Sequence, residues 1–363
     1  MPKILPFFPP ERYDEKNGRG GKTMLRVPDY YKDFHCLAGS CPHSCCEAWE
    51  VVLDGDTAAR YRCVPGALGE KLRAAMTEED GEICFALHGG RCPFLDDENL
   101  CEIHKCLGEE ATSETCQSHP RFIEEYGDLQ EITLSASCPR ANELLLDAQQ
   151  PLRFVTAEEG GEVPADAAPL FALREASLAL LSDRRRSLKS RLVWLLVLAA
   201  QAQPAVEDED HRTLYDFAAA AADLPADPGV EAAGEGLFPA ALEVLGELEV
   251  LGEDWPELLK AGKTARGLDL EENAPALERI CAYFLFRWFC KAVGDGDLLF
   301  RVQLCLLGTL TAARLGSVCG LGEALRLFSR EIEHSGENLD ALQEAFCFDE
   351  RLSPGRFFAT LGE

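Results

Sequence analysis

Apolar positions follow two different periods along the chain. As far as residue 147 they come in short runs that alternate with polar residues or are broken by turn signals, and beyond it they recur at helical spacing. Trp49 to Leu53 alternates and is rich in β-branched residues, which predicts a short strand. Residues 68–76 predict a helix. Cys84 to His104 reads as short strands around turns, with Gly89-Gly90 and Asp96 to Asn99 as the turn signals. Leu129 to Ser135 alternates as a strand, and Pro139 stands at the first position of a helix running through Asp147.

Helical patterning dominates the rest. Ser182 to Gln201 is basic first and apolar later. Residues 204–236 hold an acidic run, an alanine run and Pro/Gly breaks, so flexibility is expected there. Pro275 opens a helix that Gly294 closes, and the ICAYFLFRWFC stretch between them is apolar on nearly every face, which predicts a central buried helix. Asp297 to Leu315 predicts another. Leu325, Phe328 and Ile332 form the inner stripe of a helix ending near Gly336, and Asn338 to Phe346 follows as a shorter one. The expected fold is mainly α, with a small irregular α+β cysteine-rich metal-binding region at the N-terminal end. Three divisions are expected: a disordered tail over 1–23, a cysteine-rich metal-binding domain over 24–147 and a helical domain over 148–363.

Composition narrows the function classes. The 363 residues are 47% hydrophobic, enough for a sizeable core, and carry a net charge of −28. Such an acidic surface disfavours nucleic acid, whose phosphates it repels, and suits a basic protein partner. No secretory signal is evident, and the longest apolar run, Leu192 to Ala200, falls short of the roughly 20 residues a bilayer needs. The expectation is a cytoplasmic protein with no membrane and no nucleic-acid partner.

That setting gives the cysteines their meaning. Of sixteen, eleven lie between Cys36 and Cys138. In a reducing compartment metal or catalysis is the better reading than a disulfide scaffold. The segment reads Cys36-x4-Cys41-x3-Cys45-Cys46, then Cys92-Pro93, Cys101-x2-His104, Cys116 and Cys138-Pro139. Soft thiolates converging on one point favour an iron–sulfur cluster or zinc, and the Cys-Pro step is one that ferredoxin-type runs use. Zinc ribbons present CxxC pairs, which are missing here, and the spacing after Cys45 does not fit the CxxxCxxC loop of radical enzymes. The scattered Cys281, Cys290, Cys305, Cys319 and Cys347 read as packing residues.

Three stretches are distinctive together: PDYYKDFHCLAGSCPHSCCEAWEVVLD (28–54), RCPFLDDENLCEIHKCLGEEATSETCQSHPR (91–121) and LSASCPRANELLL (134–146). With ERICAYFLFRW (278–288) and FSREIEHSGENLDAL (328–342) the sequence resembles the flagellin lysine-N-methylase family. The resemblance implies transfer of a methyl group from S-adenosylmethionine to a lysine amine of a protein, flagellin in that family. It implies metal ligation, as a [4Fe–4S] cluster or with zinc as the alternative, by members of the set Cys36, Cys41, Cys45, Cys46, Cys92, Cys101, Cys116 and Cys138.

Methyl transfer to an amine needs a neutral lysine aligned near the sulfonium methyl, with acceptors that orient the amine. Groups able to do so are Tyr30, Tyr31, Glu331, Glu333, His334 and Asn338, of which Glu331, His334 and Tyr31 are the catalytic candidates. For Glu331 and His334 the plainer alternative is a solvated helix end, and for Tyr31 ordinary packing. No GxGxxG loop follows a strand, so an S-adenosylmethionine site cannot be read from the sequence. Two other function classes stay open: a non-catalytic zinc- or iron–sulfur-binding protein, and a redox or electron-transfer protein.

Overall fold

In a computed structural model, residues 23–47, 51–79, 81–230 and 234–362 are described. The expected tail thus lies almost wholly outside the described residues, as do Trp49 of the first expected strand and residues 231–233 of the expected flexible stretch. The fold is mainly helical, with small sheets confined to the N-terminal half of the chain. It forms two compact units. One holds Phe34–Phe122 and Cys138–Arg140. The other holds the segment ending at Asp33, Ile123–Ser137 and everything from Ala141 onward.

The first unit is built on a three-stranded antiparallel sheet of Val51–Leu53, Glu82–Phe85 and Met76–Glu79, with Glu82–Phe85 in the middle. Against it lie the helices Gly55–Cys63 and Gly66–Ala75. Val51, Leu53, Ala58, Tyr61, Leu72, Ala75, Phe85, Cys92, Phe94 and Ile103 make its core. Asp54 joins two segments: one carboxylate oxygen accepts the Thr57 N–H at 2.8 Å as the cap of Gly55–Cys63, and the other accepts the Glu114 N–H at 3.0 Å. Downstream the chain turns rather than extends. Gly89, Gly90 and Asn99 take positive φ, as their turns require, and single bridges join Glu47 to Arg91 and Leu95 to Cys101.

In the second unit a four-stranded sheet runs Arg121–Tyr126, Leu129–Leu134, Met24–Pro28, Phe154–Glu158. Met24–Pro28 pairs parallel with Leu129–Leu134 and antiparallel with Phe154–Glu158. Every residue of Leu129–Leu134 is buried. Glu131 on this strand forms a bidentate pair with Arg174, at 2.5 and 2.6 Å, from the helix Ala168–Leu181. The guanidinium is itself sandwiched between Phe171 and Phe286, 4.6 and 4.7 Å from their ring centres. Sheet and helices are locked together by a charge pair that has no water to fall back on.

The helix Leu298–Cys319 is the axis of the unit, packed by Ala274–Trp288, Leu188–Glu207 and Leu321–Phe328. Gly308 permits this: a Cβ there would sit 2.7 Å from the Phe284 ring and 2.9 Å from that of Phe328. On length and composition this 22-residue helix could cross a membrane, which corrects the expectation that no segment could. In this fold 83% of its apolar window is buried inside the protein, with Gln303, Thr309 and Thr311 buried along with the apolar residues. The expected flexible stretch is corrected in part: Asp210 caps a helix, His211–Ala220, by accepting from the N–H and hydroxyl of Thr213.

Because Arg174 is fully buried, removing its partner strands a charge. Glu131→Ala is expected to cost about 3–5 kcal/mol in denaturant unfolding, far more than a surface change. A loss below about 1 kcal/mol would show that the pair does not lock the sheet.

Candidate functional site

The first unit gathers thiols. No disulfide joins any of the sixteen cysteines among the described residues. Cys92 is in the core, and Cys46 and Cys101 pack against that core. The Cys92 N–H donates to the Cys46 carbonyl at 2.8 Å, and Leu95, three residues after Cys92, bridges to Cys101. Cys101 caps the helix Glu102–Leu107, and Cys116 lies in the first turn of Glu114–Ser118, where its N–H donates to the Ser113 hydroxyl at 3.2 Å. Helix N-termini favour negative sulfur.

The electrostatics define the grouping. Burial pushes the Cys92 thiol up to about 12, and charge on Cys46, Cys116 or Cys101 would push it further. Desolvation of its sulfur pushes Cys116 up to about 11, with Cys46 and Cys101 adding to it, although the residue as a whole is exposed, and burial raises Cys101 against the same neighbour Cys46. Cys46 itself is lowered to about 7, first by a hydrogen bond with Cys45. Cys46, Cys92, Cys101 and Cys116 therefore lie within one another's electrostatic reach. Cys45 instead feels Cys46, Cys36 and Cys138, and is raised. Cys41 donates to the His43 carbonyl at 3.0 Å. Among the described residues, no three His, Cys, Asp or Glu side chains are drawn close enough to hold a metal ion as they stand.

The donor set nonetheless fits a soft metal, and a nearby hydroxyl adds to this. Tyr61, on Gly55–Cys63, is 1% exposed and stacks on Phe85 at 5.8 Å. Its hydroxyl is buried with no hydrogen-bond partner among the described residues, an arrangement that costs about 1–3 kcal/mol. Burial raises its phenol, and charge on Cys116 and Cys101 raises it further, so the orphan hydroxyl lies in the field of two of the four thiols.

A second buried polar cluster lies in the helical unit. His334 Nε2 is 2.8 Å from the Ser135 hydroxyl and 3.0 Å from that of Ser137. Ser135 is 2.7 Å from Ser137 and 3.3 Å from Ser329. The Ser329 hydroxyl donates to Glu333 Oε2 at 2.6 Å, and the Tyr283 hydroxyl donates to the same oxygen at 2.8 Å. The Ala136 N–H in turn donates to the Tyr283 oxygen at 3.3 Å. Hydroxyls thus connect a buried carboxylate to a half-buried imidazole. Burial holds His334 down to about 4, with Arg287 adding to the effect, so it is neutral at pH 7. Burial raises Glu333 and Tyr283.

A π-helical turn, Ser329–Glu333, follows the helix Leu321–Phe328 and makes this cluster possible. The wider turn adds a residue per coil, which brings Ser329, Glu333 and Ile332 inward together. Glu331 and His334 are therefore not a solvated helix end. Glu331 is 0% exposed and structural in its contacts: it accepts the Leu251 N–H at 2.7 Å and pairs with Arg330. Asn338 fixes the same segment by bonding both the Glu249 carbonyl and N–H. Gly252 is required there, since a Cβ would fall 1.8 Å from the Arg330 guanidinium. Tyr31 is buried in a short turn, Tyr31–Asp33, and the neighbouring Tyr30 feels the charge of Glu333.

Of the three catalytic candidates, His334 alone is shown in this cluster, together with Ser135, Ser137, Tyr283 and Ser329, which sequence reasoning does not single out. Their signal is present all the same: LSASCPR, ERICAYFLFRW and FSREIEHSGENLDAL each contribute one part. Two surface grooves, of about 360 Å³ along Ala341 to Glu350 and about 520 Å³ around Phe238 and Arg356, are lined by none of the catalytic candidates.

No protein-family model matches the chain, and no solved structure does. It is 27% identical over 208 residues to a lysine-N-methylase of Salmonella choleraesuis, covering 52% of this chain and 50% of that protein. To a lysine-N-methylase of Salmonella typhimurium it is 26% identical over 202 residues, with the same coverage. To the flagellar biosynthetic protein FliU of Salmonella muenchen it is 31% identical over 133 residues, covering 35% of this chain and 79% of FliU. The matches span about half the length of the two methylases.

His334 sets a pH dependence. The unfolded chain takes up its proton near the ordinary value of about 6.5, whereas the folded chain resists until about 4. Between these values the unfolded state binds more protons, so stability falls as pH falls through that window, by up to about 3 kcal/mol. His334→Gln removes this contribution. Its loss of stability from pH 7 to pH 4 is expected to be smaller than that of wild type in denaturant titrations, and equal losses would contradict the burial of a neutral imidazole.

Proposed function

The chain belongs to the lysine-N-methylase family, and from that premise we propose that it methylates a lysine side chain of a protein, with S-adenosylmethionine as donor and a flagellin-like protein as substrate. The similarity to named methylases carries this reading. In the reaction, the amine lone pair forms a bond to the sulfonium methyl carbon, the carbon–sulfur bond breaks, and the thioether leaves. One ammonium proton must depart so that the lone pair is free. The buried cluster of Tyr283, Glu333, Ser329, Ser135 and His334 suits this chemistry, because its neutral imidazole and hydroxyls offer hydrogen-bonding groups that can orient an amine. Donor and acceptor must be held near 3 Å apart, which rigid buried groups do better than a solvated helix end.

The same proposal includes a metal centre on Cys46, Cys92, Cys101 and Cys116, as an iron–sulfur cluster, with zinc as the alternative metal. Four thiolates suffice for one [4Fe–4S] cluster. Such a cluster would cross-link the irregular segments of the first unit and offer one-electron chemistry. A non-catalytic metal protein is the second reading.

The test is mass spectrometry of flagellin incubated with the protein and S-adenosylmethionine. A gain equal to one CH₂ on lysine peptides is expected, and His334→Ala should cut turnover at least tenfold, the scale of a lost positioning group. Protein purified without oxygen is expected to be brown. Cys116→Ser should lower its metal content and Cys281→Ser should not. Metal-loaded protein that adds no methyl group to flagellin or to lysine-rich extracts would promote the non-catalytic reading. A colourless preparation holding stoichiometric zinc would replace iron by zinc.

A further inference from the structure

The helix Gly336–Phe348 has two unlike faces. Inward it presents Asn338 and Leu342, both buried, and Phe346, whose ring lies 5.6 Å from that of Phe300 and 6.2 Å from that of Phe357. Helical spacing sets two neighbouring stripes on the opposite face. One is acidic: Glu337, Asp340 and Glu344, all exposed. The other is apolar: Ala341, Ala345 and Phe348. Phe348 is 83% exposed, more than any other large hydrophobic side chain among the described residues. The apolar stripe lines the groove of about 360 Å³, with Glu344 and Glu350 beside it.

The chemistry of this face selects its occupant. The helix carries no Lys or Arg. The first cation after it, Arg351, is spent on Glu247 and Asp349, at 2.7 Å each. Negative charge therefore lies beside a bare aromatic ring and two alanines small enough to let another backbone approach. A nucleic acid would be repelled. A second copy of this chain is disfavoured as well, since a two-fold contact sets the same patch against itself and carboxylates would meet carboxylates. Both stripes run along the axis for about three turns, a pattern that a second helix with two adjacent rows matches.

We propose that this face is a docking surface for a basic amphipathic helix of a protein partner. The partner's apolar row covers Phe348, Ala341 and Ala345, and its lysines or arginines meet Glu337, Asp340, Glu344 and Glu350. The inference goes beyond the methylation reading and needs neither a methyl donor nor a metal, so its failure leaves that reading untouched.

The experiment uses the full chain and a labelled synthetic helix with a row of lysines beside a row of leucines, with binding read by fluorescence anisotropy. A peptide of the same residues in scrambled order has the same charge without the rows. Wild type should bind the ordered peptide at least about tenfold more tightly than the scrambled one, and less tightly as salt rises. Phe348→Ser and Glu344→Lys should each weaken binding of the ordered peptide about tenfold or more. Asp216→Lys, the same charge change at an exposed position on the helix His211–Ala220, should leave the affinity within about twofold. Phe348→Ser should leave Tm unchanged, because the ring is already in water. Equal affinity for the two peptides, or equal losses in Glu344→Lys and Asp216→Lys, would reduce the binding to net charge and overturn the proposal, as would full affinity in Phe348→Ser. A dimer in sedimentation that Phe348→Ser disperses would overturn the choice of occupant in favour of a second copy.

Discussion

Buried sulfur needs a reason in the first unit, where a small core must hold together the segments that run from Phe34 to Phe122. Its sheet strands are three or four residues long, and the chain from Ala86 to Ser118 has little regular structure. Hydrophobic burial alone gives such a small, irregular body little margin. Cys92 lies in that core, and Cys46 and Cys101 pack against it. Desolvation keeps the Cys92, Cys101 and Cys116 thiols protonated at neutral pH in the metal-free protein. A metal bound there, as proposed, would replace those protons and cross-link the segments that carry the four cysteines.

The helical unit solves the opposite problem. Its core is ample, so it accommodates buried charged groups that find partners. Arg174 is paired with Glu131 and stacked on two rings. Glu331 is tied to the Leu251 N–H and to Arg330. Glu333 is bonded to Ser329 and Tyr283. The π-helical turn at Ser329–Glu333 separates the last two roles: residues two apart point to different partners, one clamping a neighbouring segment and the other entering the hydroxyl cluster around His334.

Much of this can be read from the sequence where the signal is local. Pro139 and Pro275 mark helix starts because their missing N–H costs nothing there, and the structure begins helices at Pro139 and Ala274. The alternation of Leu129 to Leu134 marks the strand, and the eight spaced cysteines mark the thiol-rich unit. What cannot be read is non-local. Nothing in Met24–Pro28 says that it pairs with a strand a hundred residues later. Nothing in SREIE announces a π turn, so Glu331 and His334 read as neighbours on one helix face although they serve different partners. Acid-rich and alanine-rich residues after Pro204 suggest flexibility because the Asp210 cap depends on a single residue, not on periodicity.

The central claim is that metal on Cys46, Cys92, Cys101 and Cys116 holds the first unit together. Hydrogen exchange read by mass spectrometry, on protein as purified anaerobically and after chelation, tests it most directly. Chelation is expected to abolish protection from Val51 to Ile103 while the Leu298–Cys319 helix keeps its own. Unchanged protection over Val51 to Ile103, with metal analysis showing the metal gone, would contradict the account.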